Sequence, residues 1–172
     1  MSAPTGWPEW PTQLDAATMD ALCREFDAGL PALGVVNFTA RELWRVNQRH
    51  KGECELQIPP RQMWPNIHKT LQLAQKIRHE WGAPVAVLCG YRHPAYNRRV
   101  GGAEKSEHMQ FAAVDLAPAK LGPGREWKDW VALVTKHVDA CPDFCGFGIY
   151  QSSRFTHIDV GARQHSARWT KP

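Results

Sequence analysis

The order of elements predicts an α+β fold in which helices flank a small antiparallel sheet. Helical spacing dominates the chain as far as Gly82, whereas short apolar runs of strand length cluster after it. Two of these runs, "GFGIY" and "RFTHIDVG", are separated only by polar "QSS" and resemble a hairpin. There is no G-x-G-x-x-G and no P-loop, so a doubly wound nucleotide-binding fold has no support.

Residues 1 to 13 hold three prolines and two tryptophans and read as an irregular arm. From Asp15, "DAATMDALCREFDAGL" has helical spacing, and Gly29 can end it. In "FTARELWRVNQ", Thr39 and Glu42 form a capping box that starts a second helix. The stretch "KGECELQIPPRQMWP" reads as loop. "NIHKTLQLAQKIRHEWG" is the longest clear helix, with Asn66 as N-cap, an apolar stripe from Ile67 to Trp81, and Gly82 as C-cap. "PVAVLC" is a strand, "GYRHPAYN" a breaker-rich turn and "FAAVDLAP" a second strand. "REWKDWVALVTKHVDA" returns to helical spacing before the hairpin, and "ARQHSARWTKP" is a basic tail.

The 172 residues suffice for one globular domain with a real core. We expect residues 1–37 to form an arm and helix packing on a body of residues 38–172. Composition is ordinary, at 43% hydrophobic and 22% charged, and no apolar run approaches a membrane span. The net charge of +4 is scattered, so nucleic acid is not an expected partner. Five cysteines, including the C-x3-C of "CPDFC", read as reduced packing thiols. The N-terminus lacks a basic start followed by an apolar stretch. We therefore expect synthesis in the cytoplasm without a signal peptide, and a monomer.

Two segments carry chemistry. His108 and Asp115 bracket the start of "FAAVDL", where alternation puts Ala113 and Asp115 on one face. In "FTHIDV", His157 and Asp159 share a face of an otherwise apolar strand. A histidine in a strand is often just a hydrogen-bonded core residue. Two His/Asp pairs together also fit a metal site with three protein ligands and an open position.

"GYRHPAYNRRVGGAEKSEHMQFAAVDL", the closing "GIYQSSRFTHIDVGARQHSARW" and the earlier "FTARELW" closely resemble the zinc D,D-peptidases of the M15 class. The resemblance spans about residues 38 to 169. It implies a hedgehog/DD-peptidase-like zinc fold, with 38–172 as the peptidase domain. It implies Zn2+ as cofactor and hydrolysis of peptidoglycan stem peptides or cross-links, of D,D-carboxypeptidase or endopeptidase type. His108, Asp115 and His157 match its metal ligands. Arg92 matches its substrate-binding arginine, and Ser106 a substrate-contacting serine. Tyr91 and Asn97 would hold the arginine loop. With no export signal expected, a phage or prophage lysis enzyme acting on the wall after holin-type release is the expected setting.

The chain departs from that pattern in three places. Cys89 stands where serine is usual, Phe111 where glycine is common, and Arg154 where many relatives carry an acidic general base. Asp159 is the candidate to replace that base, or else it orients a ligand, with Glu107 and Asp143 as further candidates. The competing reading is a non-catalytic zinc-containing binding module of the same fold.

Overall fold

The computed structural model describes residues 14–46, 55–161 and 164–172. The arm at 1–13, with its tryptophans and prolines, lies outside the described residues, as do His50 and Cys54. Helix α1 (Ala16–Gly29) starts where the Asp15 carboxylate accepts the Thr18 N–H, and it buries Cys23 and Phe26. Helix α2 (Ala40–Trp44) has the reciprocal Thr39–Glu42 capping box. It lasts only five residues before strand β1 (Arg45–Val46) pairs antiparallel with β2 (Glu55–Leu56). The segment read as loop thus contributes a strand, and then a 3-10 helix over Arg61–Ile67.

That 3-10 helix runs straight into α3 (His68–Trp81), so Asn66 does not cap it. Asn66 instead donates its side-chain amide to the Gln110 carbonyl, 2.9 Å away. The apolar stripe of α3 does face inward: Leu71, Ala74 and Ile77 are fully buried. Each large member contributes roughly 1.5–3 kcal/mol by burial. Gly82 ends the helix in the left-handed region.

Strand β3 (Val85–Cys89) follows, and then α4 (Pro94–Arg99). A helix forms inside the expected turn because Pro94 sits at its first position and the His93 ring accepts the Ala95 N–H. Strand β4 (Ala113–Pro118), helix α5 (Trp127–Asp139), and strands β5 (Cys145–Tyr150), β6 (Phe155–Val160) and β7 (Ala167–Lys171) complete the chain. The main sheet has five strands in the order β3-β4-β6-β5-β7. Its neighbours are antiparallel except β7, which runs parallel to β5. The tail read as merely basic is therefore a sheet edge.

Alternation splits the sheet. On the buried apolar face Ile158 pairs with Val114 on one side and Phe147 on the other, with helices α3 and α5 against the sheet. Trp81 of α3 and Trp130 of α5 meet edge to face, with ring centroids 5.4 Å apart. On the other face, one row crosses the whole sheet: Cys89, Asp115, His157, Gly148 and Trp169 pair in succession. Among the described residues no helix is long and apolar enough to cross a membrane.

Candidate metal centre

Asp115 and His157 come together because they are direct cross-strand partners on β4 and β6. His108 arrives from a 3-10 turn, Glu107–Gln110, that precedes β4. The turn ends at Phe111, in the left-handed conformation with φ 51°. The expectation that glycine suits this position was conformational, and phenylalanine adopts the same backbone. Its ring is fully buried, 5.8 Å from the Phe26 centroid and 6.1 Å from that of Tyr91.

The three side chains form a tight triangle. His108 Nε2 lies 3.2 Å from Asp115 Oδ1, and His157 Nδ1 lies 3.0 Å from the same oxygen. The two ring nitrogens are 3.1 Å apart. Outer contacts decide what these atoms carry. His108 Nδ1 faces the Gly90 carbonyl at 2.8 Å, so the proton sits on Nδ1 and Nε2 has a lone pair. His157 Nε2 faces Asp159 Oδ2 at 3.0 Å, so Nδ1 likewise has a lone pair. Three lone pairs then converge on one point, which is unfavourable without a cation there.

A proton on His108 Nε2 relieves one edge. Burial opposes that charge, but Asp115 and Cys89 outweigh it and raise the His108 pKa. Burial also opposes the Asp115 charge, and His108 and His157 overcome it, holding the carboxyl well below its usual range. A divalent ion relieves all three edges. Tetrahedral zinc with N and O ligands at 2.0–2.1 Å has ligand–ligand edges of about 3.3–3.4 Å. Edges of 3.0–3.2 Å between two imidazoles and a carboxylate fit it closely.

The surrounding residues hold this geometry. Gly90 packs on α2: a Cβ there would lie 2.4 Å from the Leu43 carbonyl oxygen. Tyr91 N–H donates to that same oxygen at 2.9 Å, and Arg92 N–H donates to the His108 carbonyl at 3.0 Å. Arg92 Nη1 donates to Asn97 Oδ1 at 3.2 Å, while Nη2 lies 3.8 Å from Asp115 Oδ2. Arg92 Nε is buried with no hydrogen-bond partner among the described residues. Ser106 sits half-buried at the head of the His108 turn.

The carboxylates considered as proton acceptors lie elsewhere. Asp159 is fully buried behind His157, and its other oxygen accepts the Gly146 N–H at 3.1 Å. It therefore faces the nitrogen of His157 that points away from the triangle. Asp143 is paired with Lys69 at 2.6 Å. Glu107 lines an open cavity of about 370 Å³ with Lys69 and Gly161. Arg154 is exposed in the β5–β6 turn, with φ 49°.

Two neighbours were not legible as site residues. Cys89, next to Asp115 in the row, brings its sulfur into the cluster. Trp169 lays its ring 5.2 Å from that of His157, across Gly148. In the sequence Cys89 stands out only as a replacement for serine in the family pattern, and nothing in the tail announces a strand that carries Trp169.

Fold and donor set define a mixed-sheet domain with a cluster of buried His, Asp and Cys side chains on one face that could hold a metal ion. Comparison with known proteins sharpens this: the Peptidase M15 family model matches residues 36–159, and the chain belongs to that family. It is also similar to the zinc D-Ala-D-Ala carboxypeptidase of Streptomyces albus G, at 36% identity over 88 residues. That match covers 51% of this chain and 33% of the relative, so the chain matches about a third of that protein's length.

Proposed function

We propose that this chain is a zinc-dependent peptidase that hydrolyses peptide bonds in bacterial peptidoglycan stem peptides or cross-links, as a D,D-carboxypeptidase or endopeptidase. The observation that carries this reading is the triangle of converging lone pairs, whose edges suit a tetrahedral zinc ion. His108 Nε2, Asp115 and His157 Nδ1 would hold the ion. When bound, zinc supplies a polarised carbonyl and a water acidified toward a pKa of about 7.

The chain's own residues do the rest. Gly90 and Asp159 hold the protons of His108 Nδ1 and His157 Nε2, which keeps both ring lone pairs aimed inward. Asp159 is thus a positioning residue in this reading, and its buried carboxylate replaces the proton-acceptor role considered from sequence. Arg92, held by Asn97 and with its Nε free for a new acceptor, orients a substrate carbonyl or carboxylate. Ser106 contacts the substrate beside it. Arg92→Ala should lower turnover on the order of 100-fold, read on a D-alanine-terminated peptide. A rate within twofold of wild type would remove Arg92 from the mechanism.

The direct test is digestion of peptidoglycan sacculi with and without a zinc chelator, read by mass spectrometry. Release of D-alanine or a severed cross-link, abolished by chelator, supports the reading and names the bond. No fragment from folded, zinc-loaded protein on several wall types overturns it. It would favour the second reading, a non-catalytic zinc module, to which Arg154 at the usual acidic position already points. The setting we propose is phage or prophage lysis; recovery from the periplasm of healthy cells would count against it.

A further inference from the structure

Cys89 is the residue at which the centre departs from a plain His/Asp/His set. It ends β3 and is the cross-strand partner of Asp115, with a register irregularity between Val87 and Cys89. Its side chain is buried, at 6% exposure. The ligand atoms of Cys89, His108 and Asp115 all lie within 4.8 Å of one another. This triangle shares its His108–Asp115 edge with the triangle that includes His157. The two triangles share His108 and Asp115, with Cys89 and His157 at their outer corners.

The charge on the sulfur is provided for independently. Arg92 Nη2 donates to Cys89 Sγ at 3.5 Å, and the same guanidinium lies 3.8 Å from Asp115 Oδ2. The other described cysteines do not share this setting. Cys23 is buried on α1, Cys141 is half-buried just after α5, and Cys145 donates to the Asp143 carbonyl. Serine, usual in the resembling pattern, offers a neutral hydroxyl there, whereas a thiolate is a strong, soft zinc ligand.

We propose that the Cys89 sulfur is a fourth protein donor to the metal ion, holding in the resting enzyme the position that water or substrate takes during turnover. This rests on the zinc reading above. With Zn–S at about 2.3 Å and Zn–N at 2.0–2.1 Å, a tetrahedral S···N edge is about 3.5 Å. The separations from sulfur to the His108 and Asp115 ligand atoms, at most 4.8 Å, shorten to such an edge with a shift of about 1.3 Å or less, and a Cys89 side-chain torsion would carry the sulfur toward the side of His157. Two anionic ligands neutralise a divalent ion, which leaves the Arg92 charge for the substrate.

Cobalt(II) substitution tests this without relying on activity. Wild-type protein loaded with one cobalt should show thiolate-to-cobalt charge-transfer absorption in the near ultraviolet. Cys89→Ser should abolish that band, keep the visible ligand-field bands, and weaken metal binding on the order of 10-fold. Cys145→Ser should leave the band intact. Cobalt bound with no charge-transfer band overturns the role of Cys89 and leaves the metal centre standing. Failure to bind cobalt or zinc at all overturns both. Should Cys89→Ser not fold, X-ray absorption of the zinc-loaded wild type decides alone: a sulfur at about 2.3 Å supports the assignment, and an all-nitrogen-and-oxygen shell overturns it.

Discussion

Phe111 illustrates how a single residue balances opposing terms. A left-handed backbone costs a non-glycine residue roughly 1–2 kcal/mol. The buried ring returns more, since deleting a core Phe side chain costs about 3–5 kcal/mol. Phe111→Gly should therefore destabilise the fold by about 2 kcal/mol, despite relieving the backbone. Urea unfolding would show it, and a stabilised variant would contradict this balance. Asp159 makes the second residue-scale prediction. As a positioning group its change to Asn should weaken zinc binding about 10–100-fold. A variant with unchanged zinc affinity and a lost rate would return Asp159 to the role of base. Titration gives the third. Burial opposes charge on His108, but Asp115 and Cys89 raise its pKa in the metal-free chain. A raised folded value contributes stability fully present below about 6.5 that is lost as pH rises through the folded value. Asp115 is depressed, so its contribution is lost only as pH falls through its lowered value. A zinc ion held by His108 would have to displace its proton. The gap between zinc-loaded and metal-free melting temperatures should therefore widen between about pH 6 and 8, by thermal unfolding across that range. A gap that narrows would contradict the assignment.

At the scale of elements, the centre is a property of strand register. One row across five strands sets Cys89, Asp115, His157, Gly148 and Trp169 side by side, and the 3-10 turn brings His108 over it. Gly148 is small because the Trp169 indole lies on it: a Cβ would sit 2.5 Å from the ring. Gly148→Ala should push the indole away from His157 and cost about 1–3 kcal/mol. A red-shifted tryptophan emission with a lowered urea midpoint would report it, and unchanged values would show that the indole is not seated there. Much of this was legible beforehand. Strand alternation put Ala113 with Asp115 and His157 with Asp159, and periodicity gave the inward stripe of α3. What was not legible depended on long-range pairing. A two-residue strand such as β2 has too few positions to show alternation. β7 is polar on an exposed edge, so "ARWTK" carries no apolar pattern. Asn66 looked like a helix cap because local sequence cannot reveal a partner as distant as Gln110.

For the whole molecule, the sheet is clamped from one face by α3 and α5, while the opposite face presents the centre. Thr70 of α3 links three segments: its hydroxyl donates to the Ala112 carbonyl at 2.7 Å and accepts the Val160 N–H at 3.0 Å. Strands β4 and β6, which bear the candidate ligands Asp115 and His157, are thereby tied to helix α3. Helix α1, wholly ahead of the family match that begins at residue 36, packs Phe26 against Trp44 and Trp64, with centroids 5.5 and 5.3 Å apart. We read it as part of one folding unit with the peptidase domain. The family, the mixed sheet and the convergent lone pairs all lead to one claim, that His108, Asp115 and His157 together bind a zinc ion. The most direct measurement is the metal content of purified protein after dialysis against trace zinc, for wild type and His157→Ala. The account predicts one zinc per wild-type chain and its loss from the variant, with the variant still folded by circular dichroism. A metal-free wild type, or a folded variant that keeps its zinc, would contradict it.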